Sequence, residues 1–250
     1  MRMNQLVWFK RDLRVSDHAA LVGAAERGPC VCLYIYEPSI MSGDDFDASH
    51  LVFINESLAV LDDALRSLGS CLITKVGSAV EVISALHNEY DFECIHSHEE
   101  TGNDLTFQRD LALKDWTRSA GVPWCEYSQF GVIRGLKDRD GWARKWNAMM
   151  KEPIIKAPDA IRAASAPGQL ILHEPTEFGL GLSGRTAAQV GGIHEAHQTL
   201  RTFLRVRGET YQQAMSSPNT AIEACSRLST YFAYGNLSIR TAYHGLQAQR

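Results

Sequence analysis

Apolar and polar positions alternate along the first half of the chain in a regular rhythm. Short apolar runs occupy 6–9, 30–36, 71–75, 94–97 and 124–127, and longer amphipathic stretches separate them at 17–27, 48–68, 78–89 and 105–120. Strand-length runs alternating with helix-length segments are the mark of βαβ units, in which each helix carries the chain back to begin the next parallel strand. Asp17 and Ser78 stand where a short side-chain oxygen can accept from the unpaired first-turn amides of a helix. Gly28, Gly69 and Gly121 stand where helices should stop. The pattern predicts an α/β fold over 1–130, a doubly wound five-stranded parallel sheet of Rossmann-like type.

The rhythm then ends. Over 131–192, Pro153, Pro158, Pro167 and Pro175 mix with glycines, and few apolar runs are sustained. A structureless stretch of that length suits a linker that wraps over one domain on its way to another. Helical spacing returns after Ile193, with Leu200, Phe203 and Leu204 and then Tyr211, Ala214 and Met215. This predicts the first helices of a truncated all-α domain over 193–250. Its apolar residues Leu200, Phe203, Leu204, Leu228, Tyr231, Phe232, Leu237 and Tyr243 are expected to lack partners, leaving faces that fray or self-associate. Trp142 and Trp146 sit one helical turn apart and are read as a packed linker helix rather than a platform for stacking bases.

Composition narrows the class. With 250 residues and 45% hydrophobic content the chain can bury a full core. The apolar patch at 6–9 is closed by Lys10, Arg11 and Asp12. No window reaches the roughly 18 uninterrupted apolar residues of a membrane span, so the expectation is a cytoplasmic protein with no membrane partner. The cysteines Cys30, Cys32, Cys71, Cys94, Cys125 and Cys225 contain no C-x-x-C pair and read as buried thiols in a reducing compartment. The formal net charge of −4 argues against a polyanionic partner. It is unevenly spread, however: Arg201, Arg205, Arg207, Arg227, Arg240 and Arg250 outnumber Glu195, Glu209 and Glu223, so contact with an anion is expected near the C-terminal end.

Two clusters have metal-ligand chemistry without metal-ligand context. His96, His98, Glu99 and Glu100 read as loop residues at the open end of the sheet, and His194 with His197 lacks a third ligand. No metal is expected.

The first apolar run leads into Trp8-Phe9-Lys10-Arg11-Asp12-Leu13-Arg14, followed by Asp17-His18 and Ala20-Leu21. Ligands of doubly wound sheets bind beyond the carboxyl ends of the strands, where this segment falls. Its Arg–Asp content nevertheless reads first as a bracing network, and the absence of G-x-G-x-x-G argues against a nicotinamide dinucleotide. The run W-F-K-R-D-L-R-x-x-D-H-x-A-L resembles the N-terminal signature of photolyases and cryptochromes, W-F-R-x-D-L-R-x-x-D-N-x-A-L. A second ordered match supports it: the segment from Cys225 to Arg240, C-S-R-L-S-T-Y-F-A-Y-G-N-L-S-I-R, is similar to that family's flavin-binding run T-S-x-L-S-P-Y-L-x-x-G-x-L-S-x-R.

The resemblance implies FAD, contacted here by Tyr211, Cys225, Ser226, Arg227, Leu228 and Ser229. In residue terms Ser226, Ser229 and nearby amides can donate to a diphosphate without a Gly-rich loop, although these residues build only one wall of a pocket. It further implies a blue-light flavoprotein, foremost a deoxyribodipyrimidine photo-lyase. Its reduced flavin would pass an electron to a cyclobutane pyrimidine dimer in damaged DNA, through electron-transfer residues lying beyond Arg250. A cryptochrome-like photoreceptor and a non-catalytic α/β chromophore module are the alternatives. Cys225, Thr230 and Phe232 stand where the family has Thr, Pro and Leu. Met215 stands where many members carry an arginine that contacts DNA phosphate. The segment Leu105-Thr106-Phe107-Gln108-Arg109-Asp110 lacks the Asn-Glu pair that holds folate in some members, so a folate antenna in that mode is not expected, while another antenna chromophore is compatible.

Overall fold

A computed structural model describes residues 3–249 apart from 165–167, 182 and 186–187; Pro167 lies outside the described residues. Five parallel strands, β1 (Asn4–Phe9), β2 (Cys30–Tyr36), β3 (Leu72–Val76), β4 (Phe92–His98) and β5 (Trp124–Tyr127), form one sheet in the order β3-β2-β1-β4-β5. Successive crossovers run outward from β1 on both sides, so the chain direction switches between β1 and β4. The helices are α1 (Ala19–Arg27), the single-turn α2 (Pro38–Met41), α3 (Ala48–Ser67), α4 (Ala79–Tyr90) and α5 (Asp104–Ala120). This is the doubly wound α/β fold that the alternating pattern predicts.

Side-chain alternation explains the two layers. Val7 and Phe9 of β1 face α1 and α3, packing with Leu21, Cys32, Leu51, Leu58 and Leu61. Leu6 and Trp8 face the other way, against Leu33, Ile83, Leu86, Ile95 and Leu113. Period-two alternation in a central strand supplies one apolar set to each core.

Helix starts bear out one cap and correct another. Ser78 accepts from Glu81 N–H at the start of α4, but α1 is capped by His18, whose Nδ1 accepts from Leu21 N–H at 3.0 Å. Asp17 is unavailable because it lies in a left-handed turn, φ 53°, and its carboxylate is taken by Arg240.

Beyond β5 the chain forms α6 (Trp142–Lys151) and then runs over the sheet domain. Asp17 N–H donates to Ile155 C=O, and Cys30 N–H to Arg162 C=O. Asn55 and Thr74 side chains reach the carbonyls of His173 and Ile171. The C-terminal part contains α7 (Ile193–Arg205), α8 (Tyr211–Ala214), α9 (Pro218–Ala224), α10 (Ser229–Ala233) and α11 (Ile239–Gln247). Among the described residues no helix is long and apolar enough to cross a membrane.

The expectation of unpartnered C-terminal helices is corrected: six of its eight residues join one core, Leu204 and Phe232 half-buried at its margin, and Tyr243 packs against Trp146. Leu200, Leu228, Tyr231 and Leu237 are buried around Phe53 of α3, so the helices borrow a side chain from the α/β layer to close a core. Val206, Met215, Ile222 and Leu246 remain exposed.

Candidate functional site: a cleft at the switch of chain direction

Where neighbouring crossovers diverge, the loops beyond β1 and β4 part and leave a crevice. Here the crevice extends across β2 into a cleft of about 510 Å³, a volume within the usual range for a small-molecule site. Its apolar wall includes Tyr34, Ile40, Met41, Phe46 and Ile54; its charged residues are Lys10, Arg11, Glu37, Asp45, Glu100 and Arg109; Tyr234 closes it from the C-terminal helices.

The charged wall is built around Trp8. Arg109 lies over its ring at 4.8 Å and Lys10 Nζ at 4.8 Å, so cations meet a buried indole whose π-face attracts them. Arg109 is also held by Glu37 at 2.9 Å, Glu100 at 3.1 Å and Asp110 at 2.9 Å. Burial opposes its charge, but these acids outweigh burial and raise its pKa. Glu37 is raised by burial in spite of Arg109. Glu100 goes the other way, because Lys10 and Arg109 overcome its burial. Lys10 is lowered chiefly by burial. Its Nζ is 3.8 Å from Asp110 and has no hydrogen-bond partner, an unmet donor on the cleft wall. An aromatic ring with a polar or anionic tail matches such a lining: apolar contacts for the ring, Lys10 and Arg11 for the tail.

The Arg–Asp segment is therefore divided. Lys10 and Arg11 face the cleft, while Asp12, Arg14, Asp17 and His18 brace the fold. Asp12 Oδ2 lies 2.7 Å from His98 Nδ1 and 3.0 Å from His18 Nε2. Burial works against the Asp12 charge, but the two imidazoles outweigh it and hold the carboxyl well below its usual range. His98 is lowered to about 4, by burial first and then by His18. The three side chains are close enough to surround a cation, but the His18 tautomer opposes one. Its Nδ1 accepts from Leu21, so in the neutral ring Nε2 carries the proton and offers no lone pair. His96 and His98 are not loop residues as expected; they lie buried within β4, His96 inside the apolar run at 94–97 and His98 one residue past it, where the strand ends.

The flavin-type run occupies the turn from α9 into α10, and its residues do not all share one surface. Arg227 and Ser229 line an open groove of about 610 Å³ with Arg11, Arg185 and Thr230. Leu228 points into the core with Phe53. Tyr211 packs edge-on against Phe203 at 5.9 Å and is absent from the groove's lining. Backbone at Cys225 and Ser226 is gripped by Arg207, which donates to both carbonyls and to Thr199 C=O. Arg227 has φ 56°, a left-handed conformation rare for a long side chain.

Residues beyond the run dock onto the β1 loop. Leu13 N–H donates to Tyr234 C=O, Arg14 to Gly235 C=O and Asn236 to Leu13 C=O. Gly235, φ 68°, is needed here, because a Cβ would lie 2.2 Å from Arg11 C=O. Of the cleft residues, Glu37 and His50 carry no signal in the sequence, Glu100 reads there as a loop residue and Arg109 as part of an incomplete folate-type segment; they are distant in sequence, and the rule that ligands sit beyond strand ends points to them together.

A sequence profile of the DNA photolyase family matches residues 5–130. A deoxyribodipyrimidine photo-lyase of Halobacterium salinarum is 26% identical over 98% of this chain and 55% of its own length, so the chain spans about half of that relative. A Synechocystis cryptochrome superposes with a TM-score of 0.82 at 20% identity, covering 98% of this chain and 55% of the other. A Sulfolobus tokodaii photolyase, solved with two FAD molecules and discussed in terms of a light-harvesting cofactor, gives 0.70 at 21% identity, with the same coverage.

Proposed function

Because this chain belongs to the photolyase/cryptochrome family, we propose that it is part of a blue-light flavoprotein whose α/β cleft seats a light-harvesting chromophore. The observation that carries this reading is the cleft: apolar on one wall and charged on the other, where Arg109 is neutralised by Glu37 and Glu100 while Lys10 Nζ is unmet. A planar aromatic chromophore with an anionic tail would lie along Tyr34 and Ile54, with its tail at Lys10 and Arg11. Two FAD molecules in the Sulfolobus relative support a chromophore beyond the catalytic one.

FAD itself would meet the groove of Arg227, Ser229 and Thr230. A groove that leaves most of a ligand uncovered binds weakly. The chain should therefore hold a flavin more firmly in the cleft than at the run. Titration with flavin mononucleotide, followed by quenching of its fluorescence, tests this. Met41→Trp, which fills the cleft, should abolish binding, and Ser229→Trp should leave it intact. The reverse pattern would place the chromophore at the run and defeat the cleft reading.

For the whole protein we favour repair of cyclobutane pyrimidine dimers in damaged DNA. Met215 favours the second reading, a photoreceptor without repair, because it is exposed at a position where many relatives carry a phosphate-binding arginine. Light-dependent loss of dimers from an irradiated oligonucleotide, assayed with the longest expressed form, separates the two.

A further inference from the structure

The face of β4 and β5 that lies under α1 carries three groups of metal or thiol chemistry, Cys94, His96 and Cys125. A metal would need all three to offer free electron pairs. His96 does not, since one ring nitrogen meets Tyr127 Oη at 3.0 Å and the other Gln5 Oε1 at 3.1 Å. The two sulfurs are otherwise placed. Cys94 Sγ donates to Cys125 Sγ at 3.3 Å, and both cysteines are free thiols.

We propose that Cys94 and Cys125 form an oxidisable pair, a modification site at which a hydroperoxide converts two thiols into a disulfide across the sheet edge. The roles follow from exposure. Cys125 is half-buried on the edge strand, beside the Arg27 side chain at 4.0 Å, and meets the oxidant first. Its sulfur takes one oxygen from the hydroperoxide, giving a sulfenic acid and releasing an alcohol, or water from hydrogen peroxide. Cys94 is buried, and its thiol is pushed up to about 12 by burial first and then by Cys125, so it is kept from reacting alone. It attacks the Cys125 sulfur, the S–O bond breaks, and its proton leaves with the hydroxyl as water. A thiol reductant reverses the change by exchange.

The register adds a structural consequence. Cys125 is paired with His96, not Cys94, so the two cysteines are diagonal neighbours, and closing the bond requires β5 to move along β4. That strand is short and pairs on one side only, which makes the movement inexpensive. It would disturb the contacts that hold its ends in register, Trp124 Nε1 to Ser97 Oγ at 3.0 Å and Tyr127 to His96.

The test exposes the 250-residue chain to a small excess of hydrogen peroxide, blocks remaining thiols with N-ethylmaleimide and maps peptides by mass spectrometry. The expected result is a linked Cys94–Cys125 peptide pair that dithiothreitol separates, together with a change in tryptophan emission. In Cys94→Ser the bridge cannot form, so Cys125 should advance to the sulfinic or sulfonic acid. Absence of the linked pair, or oxidation of Cys125 to the same end state with and without Cys94, would overturn the proposal. So would modification of Cys225, also half-buried, at the same rate into the same products, since Cys125 would then be an ordinary surface thiol.

Discussion

The sheet layer and the C-terminal helices are held by different means. The sheet has a core on each face, drawn from its own strands and helices. The helices close a smaller core only by using Phe53 from α3, and what fixes them is a polar joint. At that joint the two segments that resemble family motifs, far apart in sequence, meet: Leu13 and Arg14 with Tyr234, Gly235 and Asn236, and Asp17 with Arg240. Part of the flavin-type run is therefore docking surface. A motif match reports that residues belong together without saying which of them touch a ligand and which touch each other.

Breaking the joint should have the largest effect. Arg240 binds Asp17 at 2.6 Å and Glu152 at 3.0 Å, and Asp17 is buried. Replacing Arg240 by Met leaves a buried carboxylate without its cation, a change that costs about 3–5 kcal/mol. Amide exchange should then accelerate over 193–249 while β1, β2 and β4 keep their protection. Uniform loss across the chain would mean that the two regions unfold as one.

Gly235→Ala tests the same joint through the backbone. The added Cβ meets the Arg11 carbonyl and Asp12 Cα, and the residue must also hold a left-handed φ. The two penalties together amount to about 2–4 kcal/mol, to be read from urea unfolding by tryptophan emission. A shift below half a kcal/mol would show that the loop retreats freely and that the docking is loose.

How much of this was legible beforehand differs between the regions for a physical reason. Strand and helix periods are local, so the five strands could be read from runs such as 30–36. The joint and the cleft are assembled from residues whose partners are distant in sequence. Asp17 looks like a helix cap until Arg240 is placed beside it, and Arg109 belongs to an incomplete folate-type segment until Trp8, Glu37 and Glu100 surround it. The continuous motif makes Leu228 a flavin contact on sequence grounds, but a turn into a helix sends neighbouring side chains in different directions, and Leu228 goes to the core.

Acid should narrow the difference between the regions. Burial lowers His96 and His98, both in β4, to about 4, against about 6.5 in the unfolded chain. Between these values the unfolded state binds protons that the folded state refuses. This contribution to stability is therefore complete above pH 6.5 and declines as pH falls toward 4, on the order of 2–3 kcal/mol for each histidine. His197 of α7 is lowered by burial as well, so the helices share the trend, with the strand pair dominant. Denaturant midpoints at pH 7 and 4.5 should show the sheet losing more than half of this margin. Stability that is flat over that range would mean that the buried imidazoles are hydrated.

The smallest effect is expected at Arg227, and its sign is the informative part. A non-glycine residue at φ 56° carries strain of about 1–2 kcal/mol, which glycine removes at an entropic cost of about 0.5–1 kcal/mol. Arg227→Gly should therefore stabilise the chain slightly, by about half a kcal/mol, provided its side chain makes no compensating contact in the fold. Its carbonyl accepts from Gln189, a bond that glycine retains. A gain in thermal midpoint would mean that an arginine is kept at a position where folding prefers glycine, as expected of a side chain that serves a ligand in the adjoining groove. A loss would show that the guanidinium is part of the packing of the turn, and would remove Arg227 from the residues proposed to meet FAD.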